Sequence, residues 1–130
     1  MFGKGQKPQP TPAELLILRS LWEHGPSTVG EVHARVQAAS PVGYTTILKS
    51  LQVMARKGLV RRDETARAHV YRAAEAEATT QKRLLKDLLY RAFPGSTHQL
   101  VLRALEVKQL SPEERRELRA LLDELEDQDS

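Results

Sequence analysis

The stretch GYTTILKSLQVMARKGLV, at residues 43–60, decides the fold because its apolar residues recur with the period of an α-helix. The other side of this helix carries hydroxyl groups, an amide, one valine and cations, but no acidic residue. Surface helices of soluble proteins usually mix both signs of charge, so this pattern indicates a helix that contacts a partner. The inward residues are Ile47, Leu48, Leu51, Met54 and Ala55, and the outward residues are Thr45, Thr46, Lys49, Gln52, Val53 and Arg56.

The composition indicates a small globular protein. A chain of 130 residues suits one domain or two very small ones, and 40% hydrophobic with 28% charged residues is ordinary for a soluble protein. No apolar run is long enough to span a membrane, and the first residues lack the apolar centre of a signal peptide, so a cytoplasmic protein without membrane contact is expected. Because the chain has no cysteine, disulfides, thiol nucleophiles and thiolate metal sites are excluded.

The positive charge is concentrated in the first half of the chain. Residues 1–75 contain eleven Lys and Arg against six Asp and Glu, a net charge of +5. Residues 76–130 contain nine against eleven, a net charge of −2. This division indicates that the first half meets a polyanion while the second half has another role.

Two helices are predicted before the opening stretch. The motif TPAE at residues 11–14 has the form of a capping box with proline at the first helical position, and the helix that follows ends at Gly25-Pro26. The motif TVGE at residues 28–31 repeats the capping pattern and begins a second helix, which Ser40-Pro41 ends. The stretch at residues 43–60 is then the third helix, ended by Gly58.

After Gly58 the period changes from 3.6 to 2, which predicts a β-hairpin. Residues 59–62 and 67–72 are the two strands, residues 63–66 are the turn, and arginine is frequent in both strands. Three helices followed by a basic hairpin describe a winged helix-turn-helix, in which the third helix enters the major groove and the hairpin lies along the DNA backbone. The predicted fold is therefore mostly α with a small β-hairpin wing, followed by a helical domain.

The second half is predicted to form three leucine-rich helices, at residues 75–93, at residues 96–107 and after the capping motif SPEE at residues 111–114. Three such helices bury too little surface to be stable alone, so their apolar stripes are expected to pack against a second copy of the chain. Packing against the chain's own first half is the alternative. The candidate dimerisation residues are Leu85, Leu88, Leu89, Leu100, Val101, Leu105, Leu118, Leu121, Leu122 and Leu125.

These elements predict four segments. Residues 1–10 are a flexible N-terminal segment and residues 11–74 a winged-helix DNA-binding domain. Residues 75–126 are a three-helix dimerisation domain and residues 127–130 an acidic tail. Truncation before Thr79 is expected to leave a folded monomer.

The runs TPAELLILRSLWEHGPSTVGEV, YTTILKSLQVMARKGLV, RAHVYRAA, LVLRALE and LSPEERRELRALLDEL resemble the penicillinase-repressor (BlaI/MecI/CopY) family in order and spacing, from Thr11 to about Leu125. The resemblance implies a homodimeric winged-helix repressor that binds a pseudo-palindromic operator in double-stranded DNA through its first domain and dimerises through its second. It also implies that Thr45, Thr46 and Lys49 face DNA in the recognition helix and that Arg67 and His69 do so in the wing.

The complete set of candidate DNA-binding residues combines the outward side of the third helix with the wing. Two alternatives stay open for this set: the outward cations of the helix either contact DNA or are only solvated, and Tyr44 either touches a phosphate or fastens the helix to its neighbour. The candidates are Tyr44, Thr45, Thr46, Lys49, Gln52, Arg56, Arg62, Arg67 and His69.

Two departures from the family pattern bear on induction. Antibiotic-responsive members are cut at an Asn-Phe bond by a sensor-triggered protease, whereas the matching pair here is Arg103-Ala104. A sensor peptidase for this chain is therefore unidentified, and release by that route is not expected. Copper-responsive members carry a cysteine-rich tail, and the absence of cysteine excludes a thiolate copper switch.

An enzyme is not expected. The four histidines, His24, His33, His69 and His98, are scattered, and neither a zinc-protease motif, a phosphate-binding loop nor a nucleophile elbow is present. No cofactor or metal site is expected either. The alternative to a repressor is a winged-helix module for protein contacts, which should lack salt-dependent binding to duplex DNA.

Overall fold

The computed structural model describes residues 8–65 and 67–129, so the expected flexible segment lies outside the described residues except for residues 8–10. The chain divides into two compact units between Leu84 and Leu85. The elements are α1 (Pro12–His24), β1 (Ser27–Thr28), α2 (Val29–Ala39), α3 (Tyr44–Lys57), β2 (Val60–Asp63), β3 (Val70–Ala73), α4 (Glu77–Ala92), α5 (Thr97–Val107) and α6 (Pro112–Asp129).

Both predicted capping boxes of the first unit are confirmed. The Thr11 hydroxyl accepts from the Glu14 amide at 3.1 Å, and the Glu14 carboxylate accepts from the Thr11 amide at 2.9 Å. Thr28 and Glu31 repeat the arrangement at the start of α2, at 3.2 and 2.9 Å. These bonds satisfy amide groups that the first turn of a helix leaves unpaired, and each cap contributes about 1 kcal/mol.

The predicted third helix is also confirmed, and it ends where expected. Gly58 has a φ of 80° and a ψ of 15°, a left-handed conformation that residues with a Cβ rarely adopt. The Leu59 amide then donates to the Met54 carbonyl at 2.9 Å, which closes the helix end. On the inward side Ile47, Leu51 and Met54 are buried, with Leu48 and Ala55 packed at the edge of the core.

The β-structure differs from the predicted two-stranded hairpin. A third strand, β1, pairs antiparallel with β3, so that the sheet order is β1-β3-β2. Strand β1 has only two residues, the second of which also caps α2, so it is too short to show alternation and the sequence did not indicate it. The strand limits also differ, because Asp63 still pairs in β2 while Arg67 and His69 precede β3 in the connecting loop. Ala66, assigned to the turn, lies outside the described residues.

The core of the first unit lies between the three helices and the sheet. Each helix contributes one apolar stripe, and the sheet closes the core with the residue that follows Gly58, the start of β2 and the centre of β3. The buried apolar residues are Ile17, Leu18, Leu21, Val29, Val32, Val36, Ile47, Leu51, Met54, Leu59, Val60 and Tyr71.

Two polar contacts tie helices of the first unit to other elements. The ammonium of Lys57, in the last turn of α3, lies 2.9 and 3.1 Å from the carboxylate oxygens of Glu14, whose side chain is buried. Arg35 of α2 donates to the hydroxyl of Ser27 in β1 at 2.8 Å. The first contact ties the end of α3 to the start of α1, and the second ties α2 to the sheet.

The first turns of α4 belong to the first unit. The indole nitrogen of Trp22 donates to the carbonyl of Glu75 at 2.9 Å, and the Arg83 guanidinium lies 2.7 Å from the Glu75 carboxylate. Thr80 is 3% exposed. These contacts explain why the compact units divide after Leu84 and not after residue 74.

The second unit consists of the remainder of α4 with α5 and α6. Ser96 caps α5, and Ser111 forms the expected capping box of α6 with Glu114. The last helix continues to Asp129, so residues 127–129, expected in a tail, are helical. None of the residues described between 85 and 129 is buried. No helix in the described part of the chain is long and apolar enough to cross a membrane.

Candidate nucleic-acid interface

The outward side of α3 is exposed along its length. We call its five polar residues the recognition face: Thr45, Thr46, Lys49, Gln52 and Arg56. Tyr44, the first residue of the helix, is 50% exposed, and Val53 on the same side is half-buried. The residues assigned to this side from the sequence therefore lie together on one surface.

The cations of the recognition face have no partner among the described residues. Neither Lys49 nor Arg56 forms an ion pair or a side-chain hydrogen bond with the described residues. The neighbouring Lys57 differs, because Glu14 neutralises it. Since α3 contains no acidic residue, the recognition face presents uncompensated positive charge.

A groove of about 390 Å³ lies between the first turn of α2, the start of α3 and the loop that joins β2 to β3. We call it the wing groove. It brings two residues assigned to the wing, Arg67 and His69, close to Tyr44. Its lining is Thr28, Val29, Gly30, Tyr44, Leu48, Arg67, Ala68 and His69.

The wing groove is lined by groups that attract an anion, and one acid, Glu31, follows the lining residue Gly30 in the chain. Arg67 forms no ion pair with the described residues, and the start of α2 adds the positive end of a helix dipole. Glu31 opposes them from the same turn. Its bonds from the Thr28 backbone and hydroxyl hold the pKa of the Glu31 carboxyl below its ordinary value, so the group stays ionised at neutral pH.

Arg62 is engaged inside the wing. Its guanidinium pairs with the Glu64 carboxylate, and the Tyr71 hydroxyl is the main cause that raises the pKa of Arg62, followed by Glu64. Arg62 also lies directly opposite Tyr71 in the β-ladder, so it is on the sheet face of that buried residue. It is not among the residues that line the wing groove.

A pair of arginines that the sequence did not single out lies on the other face of the hairpin. Arg61 and Arg72 are directly opposite each other in the ladder, and both are exposed. Asp63 accepts from the amide and hydroxyl of Thr65, at 2.9 and 2.7 Å, and these bonds, with a smaller contribution from the charge of Arg72, hold the pKa of its carboxyl below the ordinary value. The frequency of arginine in the hairpin was visible in the sequence, but this pairing required the register of β2 on β3.

Three helices followed by a basic hairpin, with a short strand between α1 and α2 that completes the sheet, define a winged-helix protein. The chain belongs to the penicillinase repressor family, whose profile matches residues 10–124. It is 30% identical over 117 residues to the penicillinase repressor of Bacillus licheniformis, covering 90% of this chain and 91% of that protein. It is 32% identical over 114 residues to the transcriptional regulator BlaI of Mycobacterium tuberculosis (strain H37Rv), covering 87% of this chain and 82% of that protein.

Two solved structures are similar to the first unit. One is the solution structure of the DNA-binding domain of the repressor BlaI, and the other is the monomeric form of Bacillus licheniformis BlaI in complex with the blaP half-operator. Each has a TM-score of 0.50 and 26% identity, covering 56% of this chain and 89% of the other. The chain is thus a DNA-binding transcriptional repressor and not an enzyme, as predicted.

Proposed function

We propose that the chain binds a pseudo-palindromic operator as a homodimer, with one α3 helix in the major groove of each half-site. The observation that carries the proposal is the recognition face, an exposed helix surface that has no acid and whose two cations pair with none of the described residues. Bound over a promoter, such a dimer denies access to polymerase.

The recognition face supplies the contacts that depend on sequence. Near the start of α3, Thr45 and Thr46 are adjacent and Lys49 follows about one turn later. These residues read base edges through their hydroxyl and ammonium groups. Gln52 and Arg56 continue the same side, and Arg56 contacts a phosphate at the groove edge.

The wing and its groove supply the contacts that do not depend on sequence. The wing groove is bordered by Tyr44, Arg67 and His69. Their hydroxyl, guanidinium and imidazole groups are suited to hydrogen-bond a DNA phosphate. Arg61 and Arg72 supply a second contact, since like charges directly opposite in a ladder repel until an anion is shared between them. Arg62 acts chiefly within the wing.

The second unit joins two copies. Most of its large apolar side chains are exposed in the single chain, including Leu85 at 49%, Leu121 at 49% and Leu125 at 48%, while Leu89 and Leu100 are half-buried. Burying apolar area contributes about 25 cal/mol per Å², so these leucine stripes favour self-association. Two linked copies of the first unit then bind a palindromic operator far more tightly than one copy alone.

Release from DNA is proposed to occur without the cut that the family's Asn-Phe bond undergoes. Arg103 is an exposed cation that pairs with Glu106 inside α5, and Ala104 offers no aromatic ring to a protease pocket. Mass spectrometry of the chain from β-lactam-treated native cells tests this point, since fragments ending at Arg103 and starting at Ala104 contradict it.

The test of DNA binding begins with selection of duplexes from a randomised library by the full chain, followed by fluorescence anisotropy at several salt concentrations. Lys49→Ala should lower affinity for the selected duplex by about 1–3 kcal/mol and relax its sequence preference. Arg67→Ala should weaken binding to every duplex and reduce the salt slope by about one.

Arg19→Ala, on the exposed side of α1, is the charge-matched control. Absence of any salt-dependent binding would indicate a module for protein contacts instead.

A further inference from the structure

His33 links α2 to the turn that precedes α3. Its Nε2 lies 2.8 Å from the carbonyl oxygen of Val42. Because a carbonyl oxygen only accepts, Nε2 carries the hydrogen and donates it. Within the described part of the chain, no other side chain hydrogen-bonds to the turn at residues 40–43.

The same imidazole ring contacts Tyr44. The ring centroids are 5.9 Å apart and the planes meet at 77°, an edge-to-face arrangement of the kind that stabilises aromatic pairs. Tyr44 nevertheless remains half exposed and borders the wing groove. One side of the tyrosine is therefore held by α2 while the other side faces solvent.

The start of α3 depends on such a contact because it has no side-chain cap. Gly43 occupies the cap position and forms no side-chain hydrogen bond, whereas α1 and α2 each begin with a complete capping box. At the opposite end of α3, Lys57 is paired with Glu14. The two ends of the recognition helix are thus held by different partners, and at its first turn the side-chain partner is His33.

We propose that His33 is a positioning residue for DNA binding: its ring, oriented by the hydrogen bond to Val42, holds Tyr44 in place to contact the DNA backbone. The inference rests on the proposed function, in which Tyr44 contributes to the phosphate site of the wing groove. Without the imidazole, the Tyr44 side chain must be ordered when DNA binds, and that ordering reduces affinity.

The experiment is a double-mutant cycle in the full chain, read by anisotropy with the duplex that the wild-type protein selects. His33→Ala should lower affinity by roughly three- to tenfold, in the range expected for directly contacting residues. In the Tyr44→Ala background the same change should cost less than about twofold, because no ring remains to be positioned. Equal losses in both backgrounds overturn the proposal.

Two further variants separate positioning from stability. His33→Gln keeps a donor for the Val42 carbonyl but lacks the ring, so it should recover unfolding stability relative to His33→Ala while affinity stays low. Recovery of both properties would assign His33 to the turn alone and overturn the proposal. Val36→Ala, a core change on the same helix, is the control: it should lower stability yet leave affinity within about twofold of the wild-type value.

Failure of the inference and failure of the proposed function give different results. If the wild-type chain selects no duplex, both are overturned. If it binds a selected duplex and Lys49→Ala weakens that binding while His33→Ala does not, only the role of His33 is overturned.

Discussion

The two units of this protein bury their apolar residues in opposite ways. In the first, residues from three helices and two strands form a closed core, with Val32, Leu51 and Met54 fully buried. In the second, none of the described residues is buried, and its large apolar side chains are mostly exposed at about the level of Leu88, at 49%. The first unit has what a domain needs to be stable alone, whereas the second has apolar stripes that a single chain leaves exposed.

The exposed residues of the two units also differ in chemistry. The first unit exposes the recognition face, whose cations suit a polyanion, and the second exposes leucines, which suit another apolar surface. The difference indicates that nucleic-acid binding and self-association are properties of separate parts of the chain, which substitutions should be able to separate.

The largest expected effect is on self-association. Leu121→Glu places a charge in the leucine stripe of α6, so sedimentation should find a monomer. Operator affinity should fall by roughly a hundredfold, because a monomer has one DNA-binding unit where the dimer has two that are linked. Ala120→Glu, on the opposite side of the same helix, is the matched control and should change neither property. A wild-type chain that sediments as a monomer at micromolar concentration would refute the dimer.

The next effect tests where the first unit ends. A fragment of residues 1–84 should unfold cooperatively, whereas a fragment of residues 1–78 loses the burial of Thr80 and the pair between Arg83 and Glu75. Urea unfolding should find the shorter fragment less stable by on the order of 2 kcal/mol. Equal stability of the two fragments would show that α4 adds nothing to the first unit.

Two adjacent cations of α3 should separate stability from DNA binding. Lys57→Met leaves the buried Glu14 carboxylate with the Thr11 amide but without an opposite charge, and it should cost about 2 kcal/mol of stability, less than a fully buried pair because Lys57 is partly exposed. Arg56→Met should change stability by less than about 0.5 kcal/mol yet lower the salt slope of DNA binding. Urea unfolding measures the stability of both variants, and anisotropy measures the salt slope of their DNA binding. The prediction is contradicted if the same variant shows the larger effect in both assays.

The smallest effect concerns the arginine pair of the wing. Arg61→Gln removes its repulsion with Arg72 and keeps the attraction between Arg72 and Asp63, so it should raise stability by about 0.2–1 kcal/mol. In the same variant the salt slope of DNA binding should fall by about one. A rise in stability together with a fall in the salt slope identifies a phosphate contact. The control variant Arg19→Gln should change neither stability nor the salt slope. A variant that gains no stability and binds DNA as before would assign the pair to the solvated surface.

The elements predicted with success are those specified by neighbouring residues. The capping boxes at Thr11 and Thr28, the left-handed end at Gly58 and the inward side of α3 were all readable from sequence, because a helix period and a cap involve residues within four positions. Strand β1 was missed for the converse reason, since two residues become a strand only by pairing with β3. The individual DNA-binding and dimerisation residues stay predictions.

The sequence by itself determined the three helices, the acid-free side of α3 and the leucine stripes of the second unit, since periodicity and charge pattern are local properties. The tertiary structure alone decided which cations are available, because Lys57 and Glu14 are 43 positions apart and Arg62 is engaged by Tyr71 across the ladder. It also placed Arg67, His69 and Tyr44 around one groove and extended the first unit to Leu84 through contacts such as that of Trp22 with Glu75. Contacts over such separations depend on how helices and strands pack, and no local pattern encodes them.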